Sequence, residues 1–188
     1  MQTWPGREAA SQVGGKLIYR TGATMNRQAF PGGKTLLKIV AIGLGLCGGR
    51  IVDAFVEREK REPVKCFIPL NINTSRADLA SLTNIPDDSK LLIGESTVKG
   101  HGVSADNKLG AKIAFEELDK IKNAIDRAAT TDIDAFLLVT GLGGGTGGGA
   151  FPVVGKALDE AYDEPVYGLG VLPASEEGDI YTLNAARS

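Results

Sequence analysis

The sequence predicts an α/β fold: a doubly wound, mostly parallel sheet with helices on both faces, like a Rossmann fold. Two observations lead to this prediction. Short apolar runs alternate along the chain with amphipathic segments of helical periodicity, which is the order of strand–helix units. Glycine-rich stretches follow several of these runs, and in residues 140–149 seven of ten positions are glycine. In such sheets, ligands bind over the carboxyl ends of the strands, where these stretches would lie.

The composition is that of one globular domain. The 188 residues are 43% hydrophobic and carry a formal charge of −2, which argues against broad nucleic-acid binding. The two cysteines, Cys47 and Cys66, have neither zinc-ligand spacing nor the pattern of a disulfide framework. We therefore expect a reducing, cytoplasmic location and no protein-bound metal site. The sequence has no apolar run of 18 residues, so no transmembrane segment is expected.

Residues 1–34 differ from the rest, because they are polar and show no clear periodicity. We expect a mobile N-terminal extension there, followed by a nucleotide-binding domain over residues 35–188. Residues 31–35 (P-G-G-K-T) imitate the end of a P-loop. However, Gln28 stands where that motif needs glycine, and the segment precedes a strand instead of following one.

The first strand–helix unit begins with an apolar run at residues 36–42. A G-x-G-x-x-G pattern follows at residues 43–48, and then a helix with apolar residues on one face: Ile51, Val52, Phe55 and Val56. A dinucleotide site would also need an acidic residue after the next strand, residues 66–71. No carboxylate occurs there before Asp78. A dinucleotide-dependent oxidoreductase is therefore the least favoured of three functional hypotheses.

The middle of the chain alternates loops with further elements. A polar turn covers residues 71–79, a short strand residues 91–94, and a glycine loop residues 100–107, with Asp106 or Asn107 as the cap of the next helix. His101 is expected to be a solvated loop residue and not a catalyst. One long helix is predicted over residues 109–129, because apolar residues recur there every three or four positions: Ile113, Ala114, Leu118, Ile121 and Ile125.

The glycine-rich run lies between a buried strand at residues 134–140 and a helix at residues 151–161, with Pro152 in its first turn. Each ordered glycine costs roughly 0.5–1 kcal/mol of folding free energy relative to alanine, so a run of ordered glycines indicates a structural or functional requirement. A flexible linker is disfavoured, because a strand and a helix bound the run closely. Backbone N–H groups at a helix start form an anion site, and Thr146 adds a hydroxyl.

The last predicted elements are a strand at residues 166–172, a loop at residues 173–178 and a helix at residues 181–187. Each glycine loop named above follows a strand. The carboxyl ends of parallel strands meet at one edge of a sheet, so we expect these loops to converge on a single nucleotide.

Several of these motifs resemble one family. G-G-G-T-G-G-G at residues 143–149 resembles the signature loop of the tubulin/FtsZ superfamily, G-G-G-T-G-[ST]-G, with Gly148 at the Ser/Thr position. G-L-C-G-G-R at residues 45–50 resembles the tubulin loop G-Q-C-G-N-Q, with Leu46 in place of glutamine. Residues 98–107, 164–173 and 177–188 resemble CetZ proteins, the archaeal tubulin-like branch. The resemblance extends over residues 36–188.

This resemblance implies a cytoskeletal GTPase that binds GTP or GDP with Mg²⁺. It implies head-to-tail assembly into a homopolymer, hydrolysis at the subunit interface, and a role in cell shape. By motif match, Glu177 would contact the ribose. The resemblance assigns sixteen residues to the nucleotide: Gly45, Leu46, Cys47, Gly48, Gly49, Arg50, Asn73, Thr74, Gly102, Asn107, Gly143, Gly144, Gly145, Thr146, Gly147 and Glu177.

The family's guanine-contacting asparagine, central helix, C-terminal domain and acidic catalytic loop would lie beyond Ser188. No catalytic residue is therefore expected in this chain, which alone should hydrolyse little GTP and should not polymerise. A hypothesis from a different class is a non-hydrolysing nucleotide-binding partner that caps or regulates filaments.

Overall fold

The computed structural model describes residues 37–129 and 132–188, so the expectation for residues 1–34 lies outside the described residues. Five strands form one sheet in which every pairing is parallel, in the order β3-β2-β1-β4-β5. The strands are β1 (Ile39–Leu44), β2 (Phe67–Asn73), β3 (Lys90–Leu92), β4 (Ala135–Gly141) and β5 (Val166–Val171). The predicted fold class is confirmed. Strand order reverses between β1 and β4, where open α/β sheets form their ligand crevice.

Six α-helices lie between the strands of the described chain, and a seventh follows β5. They are α1 (Gly45–Glu59), α2 (Arg76–Ala80), α3 (Glu95–Val98), α4 (Asn107–Glu116), α5 (Leu118–Ala128), α6 (Gly145–Ala161) and α7 (Asp179–Ala185). None of these helices has the length and apolar character needed to span a bilayer.

Hydrophobic side chains are packed on both faces of the sheet, because successive side chains along the buried strands belong alternately to two hydrophobic clusters. On one face, side chains such as Val40, Ile42 and Phe136 pack against α4, α5 and α6. On the other, Ala41 and Val139 pack against α1 and the segment after α2. This arrangement brings the starts of α1 and α6 to the same edge of the sheet.

The prediction of one helix over residues 109–129 is wrong, because the helix is interrupted at Glu117, whose backbone leaves the helical region (φ −105°, ψ 23°). The Glu117 carboxylate accepts the N–H of Gly94 (2.8 Å) and lies 3.2 Å from Lys120 Nζ. Lys120 in turn donates to the carbonyl of Leu92 (2.6 Å). These contacts hold the junction against the segment after β3 and separate α4, which packs on α6, from α5, which packs on the sheet.

The glycine-rich run was expected to be a turn followed by a helix from residue 151, and this boundary is wrong. Helix α6 begins at Gly145, so Pro152 lies inside it and not in its first turn. The reason is the close packing of α4 on α6. A Cβ atom on Gly149 would lie 2.2 Å from the Asn107 carbonyl oxygen, and one on Gly110 would lie 2.3 Å from the Gly145 carbonyl oxygen. The glycines therefore let two helix backbones touch.

Asp53 on α1 holds the segment that follows α2. Its carboxylate accepts hydrogen bonds from the backbone N–H of Asn84 (2.7 Å), from the Asn84 amide (2.8 Å) and from the N–H of Ile85 (2.9 Å). Burial disfavours the charged form, but these hydrogen bonds outweigh it and hold the pKa of Asp53 below its usual value.

Replacing Asp53 with asparagine is therefore expected to lower the free energy of unfolding by about 1–2 kcal/mol at pH 7. Because the folded-state pKa is depressed, this stabilisation is complete above the unfolded-state pKa and is lost as the pH falls through the folded value. Urea denaturation at pH 7 and pH 3 checks it: the difference from the wild type should shrink at pH 3. Asp159→Asn, at an exposed position on α6, is the control, and an equal loss in both variants would contradict the argument.

Candidate functional site

A cavity of about 650 Å³ opens at the carboxyl ends of the strands, a volume typical of small-molecule sites. Its walls come from five segments: the start of α1, the start of α2 (Ser75 and Asp78), the loop before α4, the turn before α6 and the segment after β5. Each segment follows a strand or leads into a helix start at the same edge of the sheet. The expected convergence of the glycine loops is therefore present in the structure.

Two helix N-termini meet at this cavity. A Cβ atom on Gly45 (φ +68°) would lie 3.0 Å from the backbone nitrogen of Gly147, so the starts of α1 and α6 abut. The N-cap residues Leu44 and Gly144 make no side-chain capping hydrogen bond, and neither first turn contains an acidic residue. The first N–H groups and the positive ends of both helix dipoles are therefore available to an anion.

Another wall of the cavity is the loop before α4, which has an unusual backbone. Gly102 (φ +81°), Ser104 (φ +48°) and Ala105 (φ +64°) are all in the left-handed region, which is unfavourable for the two residues that carry a side chain. The loop is held by a hydrogen bond from the N–H of Gly102 to the Thr74 carbonyl (3.1 Å). The Asp106 side chain then caps α4 by accepting the N–H of Leu109 (3.0 Å), as one of the two predicted caps.

Thr146 was expected to offer its hydroxyl to a phosphate. It lines the cavity, but its Oγ1 lies 2.7 Å from the Oγ1 of Thr74, and either hydroxyl can be the donor. Both side chains are buried. The pair joins the end of β2 to the first turn of α6, and it leaves the remaining lone pair or proton of Thr146 for a ligand.

Eleven of the sixteen residues assigned by resemblance line the cavity: Gly45, Leu46, Cys47, Arg50, Gly102, Gly143, Gly144, Gly145, Thr146, Gly147 and Glu177. Glu177, assigned to the ribose, is exposed, and its carboxylate accepts the N–H of Ala174 (3.3 Å). Direct contact of these residues with a nucleotide stays a prediction.

The other five assigned residues are buried behind the wall: Gly48, Gly49, Asn73, Thr74 and Asn107. A Cβ atom on Gly48 would lie 2.0 Å from the Val139 carbonyl oxygen, so this glycine seats α1 on β4. The side-chain oxygen Oδ1 of Asn73 accepts the N–H groups of Thr74 (2.8 Å) and Ser75 (3.1 Å). The structure therefore places these residues where they shape the loops, and any contact they make with a nucleotide also stays a prediction.

Charged groups are sparse around the cavity. Arg50 is exposed at its edge, and Asp78 and Glu177 also line it. Desolvation and the nearby Glu177 carboxylate raise the pKa of the Cys47 thiol, against the opposite effect of Arg50. The thiol is therefore neutral at physiological pH and adds no negative charge beside an anion. In the part of the chain that the structure describes, no three His, Cys, Asp or Glu side chains form a metal-binding group.

Sequence reasoning missed part of the site. Ser104, Ala105, Leu172, Pro173 and Tyr181 line the cavity but were assigned no role. The sequence could have indicated these residues only by their position in the chain, because each lies in a segment that follows a strand or begins a helix. Asn184 on α7 was also missed, although it is only 1% exposed and makes hydrogen bonds to two walls of the cavity.

The comparisons with known proteins agree on one family. The model of the tubulin/FtsZ family, GTPase domain, matches residues 38–188. Tubulin-like protein CetZ1 of Haloferax volcanii is 54% identical over 153 residues, which are 81% of this chain and 39% of that protein. The CetZ protein of Pyrococcus furiosus is 42% identical over 152 residues, or 80% of this chain and 40% of that protein. The chain thus spans about two fifths of the length of these relatives.

Solved structures give the same result. The chain is similar to GDP-bound monomeric CetZ1 from Haloferax volcanii, with a TM-score of 0.76 and 53% identity over 80% of this chain and 46% of that one. It is also similar to a GTPγS-bound protofilament of CetZ2 from the same organism, with a TM-score of 0.75 and 39% identity over 80% of this chain and 44% of that one. An empty FtsZ dimer from M. jannaschii matches with a TM-score of 0.65 and 31% identity, over 79% of this chain and 40% of that one.

Proposed function

The chain belongs to the tubulin/FtsZ family through its GTPase domain, and on that ground we propose that its cavity binds a guanine nucleotide, GTP or GDP. The observation that carries the proposal is the pair of uncapped helix starts, α1 and α6, that abut at the base of one cavity. Two converging sets of N–H groups suit a chain of phosphates better than a single anion. Relatives described as GDP-bound and GTPγS-bound support the choice of base.

In the proposed complex, the N–H groups at the start of α1 and at residues 145–147 donate to phosphate oxygens. Glycine at several of these positions, Gly45, Gly145 and Gly147, lets the phosphates come within hydrogen-bond distance of the backbone. Arg50 at the edge of the cavity offsets negative charge, and Glu177 accepts hydrogen bonds from the ribose hydroxyls. Mg²⁺ typically binds through substrate phosphates, waters and one or two carboxylates, so the absence of a protein metal cluster among the described residues is compatible with it.

We also propose that this chain is the phosphate-binding part of a GTPase that assembles head-to-tail into filaments. Catalysis of phosphoryl transfer consists mostly of positioning and charge stabilisation. The described residues supply a cradle for the phosphates, and an acidic loop from a neighbouring subunit would position the attacking water. The 188-residue chain by itself should therefore bind nucleotide but hydrolyse it slowly and form no filaments. A cytoplasmic location and a role in cell shape belong to the same proposal.

The proposal is tested by titrating the 188-residue chain with GTP, GDP, ATP and NAD⁺ in a calorimeter, with Mg²⁺ and with a chelator. We expect GTP and GDP to bind more tightly than ATP or NAD⁺, because two of the similar solved structures hold GDP and GTPγS. Binding of NAD⁺ in preference to GTP would favour the oxidoreductase hypothesis instead. Failure of all four to bind would overturn the proposed function of this cavity.

A further inference from the structure

One buried side chain connects two walls of the cavity. Asn184 lies on α7 and is 1% exposed. Its amide nitrogen donates to the carbonyl of Ala105 (2.7 Å), in the loop before α4, and to the carbonyl of Gly143 (3.0 Å), in the turn before α6. A side-chain amide nitrogen has two hydrogens, so its donor capacity is fully used by these two loops.

Both acceptors lie where the backbone needs support. Ala105 is one of the two consecutive residues with a side chain in the left-handed region, a conformation that persists only when surrounding contacts impose it. At Gly143, a Cβ atom would lie 3.0 Å from the Cβ of Tyr181, so α7 is packed directly on the turn. Asn184 therefore binds one strained loop and one closely packed turn at the same time.

The backbone of Asn184 extends the connection. Its carbonyl accepts hydrogen bonds from the Asn107 amide (3.5 Å), at the first residue of α4, and from the Ser188 hydroxyl (2.9 Å). Ser188 Oγ also lies 3.2 Å from the carbonyl of Leu142 in the turn before α6. These contacts join α7 to the start of α4 and to the turn before α6.

We propose that Asn184 is a positioning residue of the nucleotide site. It holds the loop before α4 and the turn before α6 at a fixed separation, so that N–H groups on both walls face the same phosphate chain. It acts through Ala105 and Gly143 and touches no ligand itself. This inference rests on the proposed nucleotide binding, and it adds that α7 docking and nucleotide affinity are coupled, because both depend on the same two loops.

The test uses the 188-residue chain and Asn184→Leu, which keeps a similar size and adds no charge but removes both donors. The matched control is Asn84→Leu. Asn84 also donates its side-chain amide (to Asp53, 2.8 Å) but lies outside the cavity wall. The dissociation constant for GDP is measured by calorimetry at a temperature where circular dichroism shows both variants folded. We expect at least a ~10-fold weaker affinity in Asn184→Leu and a change of less than about twofold in the control.

Hydrogen exchange of the wild-type chain and a milder variant give two further tests. Hydrogen exchange of the α7 amides in the wild-type chain should slow when GDP is added, and Asn184→Ser, which keeps one donor, should weaken GDP binding by an intermediate amount. The positioning role would be overturned if wild type and Asn184→Leu bound GDP with equal affinity, or if GDP did not change the hydrogen exchange of the α7 amides. Either result would leave the proposed function standing. Failure of the wild type to bind GDP would overturn the proposed function itself.

Discussion

Replacing Gly149 with alanine is expected to lower the free energy of unfolding by about 3 kcal/mol, the upper end of the usual effect of overpacking. The new Cβ atom would lie 2.2 Å from the Asn107 carbonyl oxygen and 2.5 Å from the backbone nitrogen of Ala111. Both neighbours are backbone atoms of α4, so no side chain can rotate away. Helices α4 and α6 must move apart, and the contacts between them weaken over their whole length.

The control for this prediction lies in the same helix. At Gly155, a Cβ atom would meet only a methyl carbon of Leu138, at the ordinary contact distance of 3.4 Å. Gly155→Ala should therefore raise the free energy of unfolding by up to about 1 kcal/mol, because alanine favours the helix more than glycine does. Urea denaturation of both variants gives the comparison. Equal unfolding midpoints would show that α4 and α6 do not pack as closely as the structure indicates.

These two glycines show what the sequence can and cannot predict. The alternation of apolar runs with helical segments predicted all five strands to within a few residues, because buried parallel strands are locally apolar. The start of α6 was wrong, since the glycines at residues 145–149 were interpreted as a loop. Their role depends on α4, some forty residues earlier in the chain. Composition alone does not distinguish a glycine in a turn from one in a helix contact.

The break at Glu117 has the same kind of cause. Periodicity across residues 109–129 is continuous, and only the tertiary hydrogen bonds to Gly94 and Leu92 explain why the helix is interrupted. Sequence patterns report local preference, whereas these bonds join segments more than twenty residues apart.

The residues that line the candidate site were predictable from the sequence, but the residues that hold its loops in place were not. Glycine loops after parallel strands must meet at one edge of the sheet, which is why most of the assigned residues line one cavity. The residues that support these loops are different. Asn184 occupies an ordinary polar position on a short helix, and the Thr74–Thr146 pair joins residues 72 positions apart. The sequence around Asn184 and around the two threonines does not indicate that these side chains are buried or which residues they contact.

Gly144→Val is expected to weaken GDP binding at least ~100-fold while leaving the fold intact. Gly144 lines the cavity, and its backbone is extended (φ −77°, ψ 158°), a conformation that valine adopts readily. A Cβ atom there would meet only the Gly141 carbonyl oxygen, at 3.4 Å. Stability should therefore be unchanged or raised by up to about 1 kcal/mol, because valine restricts the unfolded chain more than glycine does.

The loss of affinity follows from where the added methyl groups lie. Gly144 lines the cavity immediately before the first N–H groups of α6, so we expect the methyl groups to keep a phosphate beyond hydrogen-bond distance of that backbone. Losing two charge-assisted hydrogen bonds of about 1.5–3 kcal/mol each corresponds to a factor of at least ~100. Calorimetry with GDP should show a graded loss from wild type to Gly144→Ala to Gly144→Val, while Gly155→Ala binds like the wild type. If Gly144→Val bound GDP as the wild type does, the phosphates would have to lie away from the start of α6, and the cradle proposed for this cavity would be wrong.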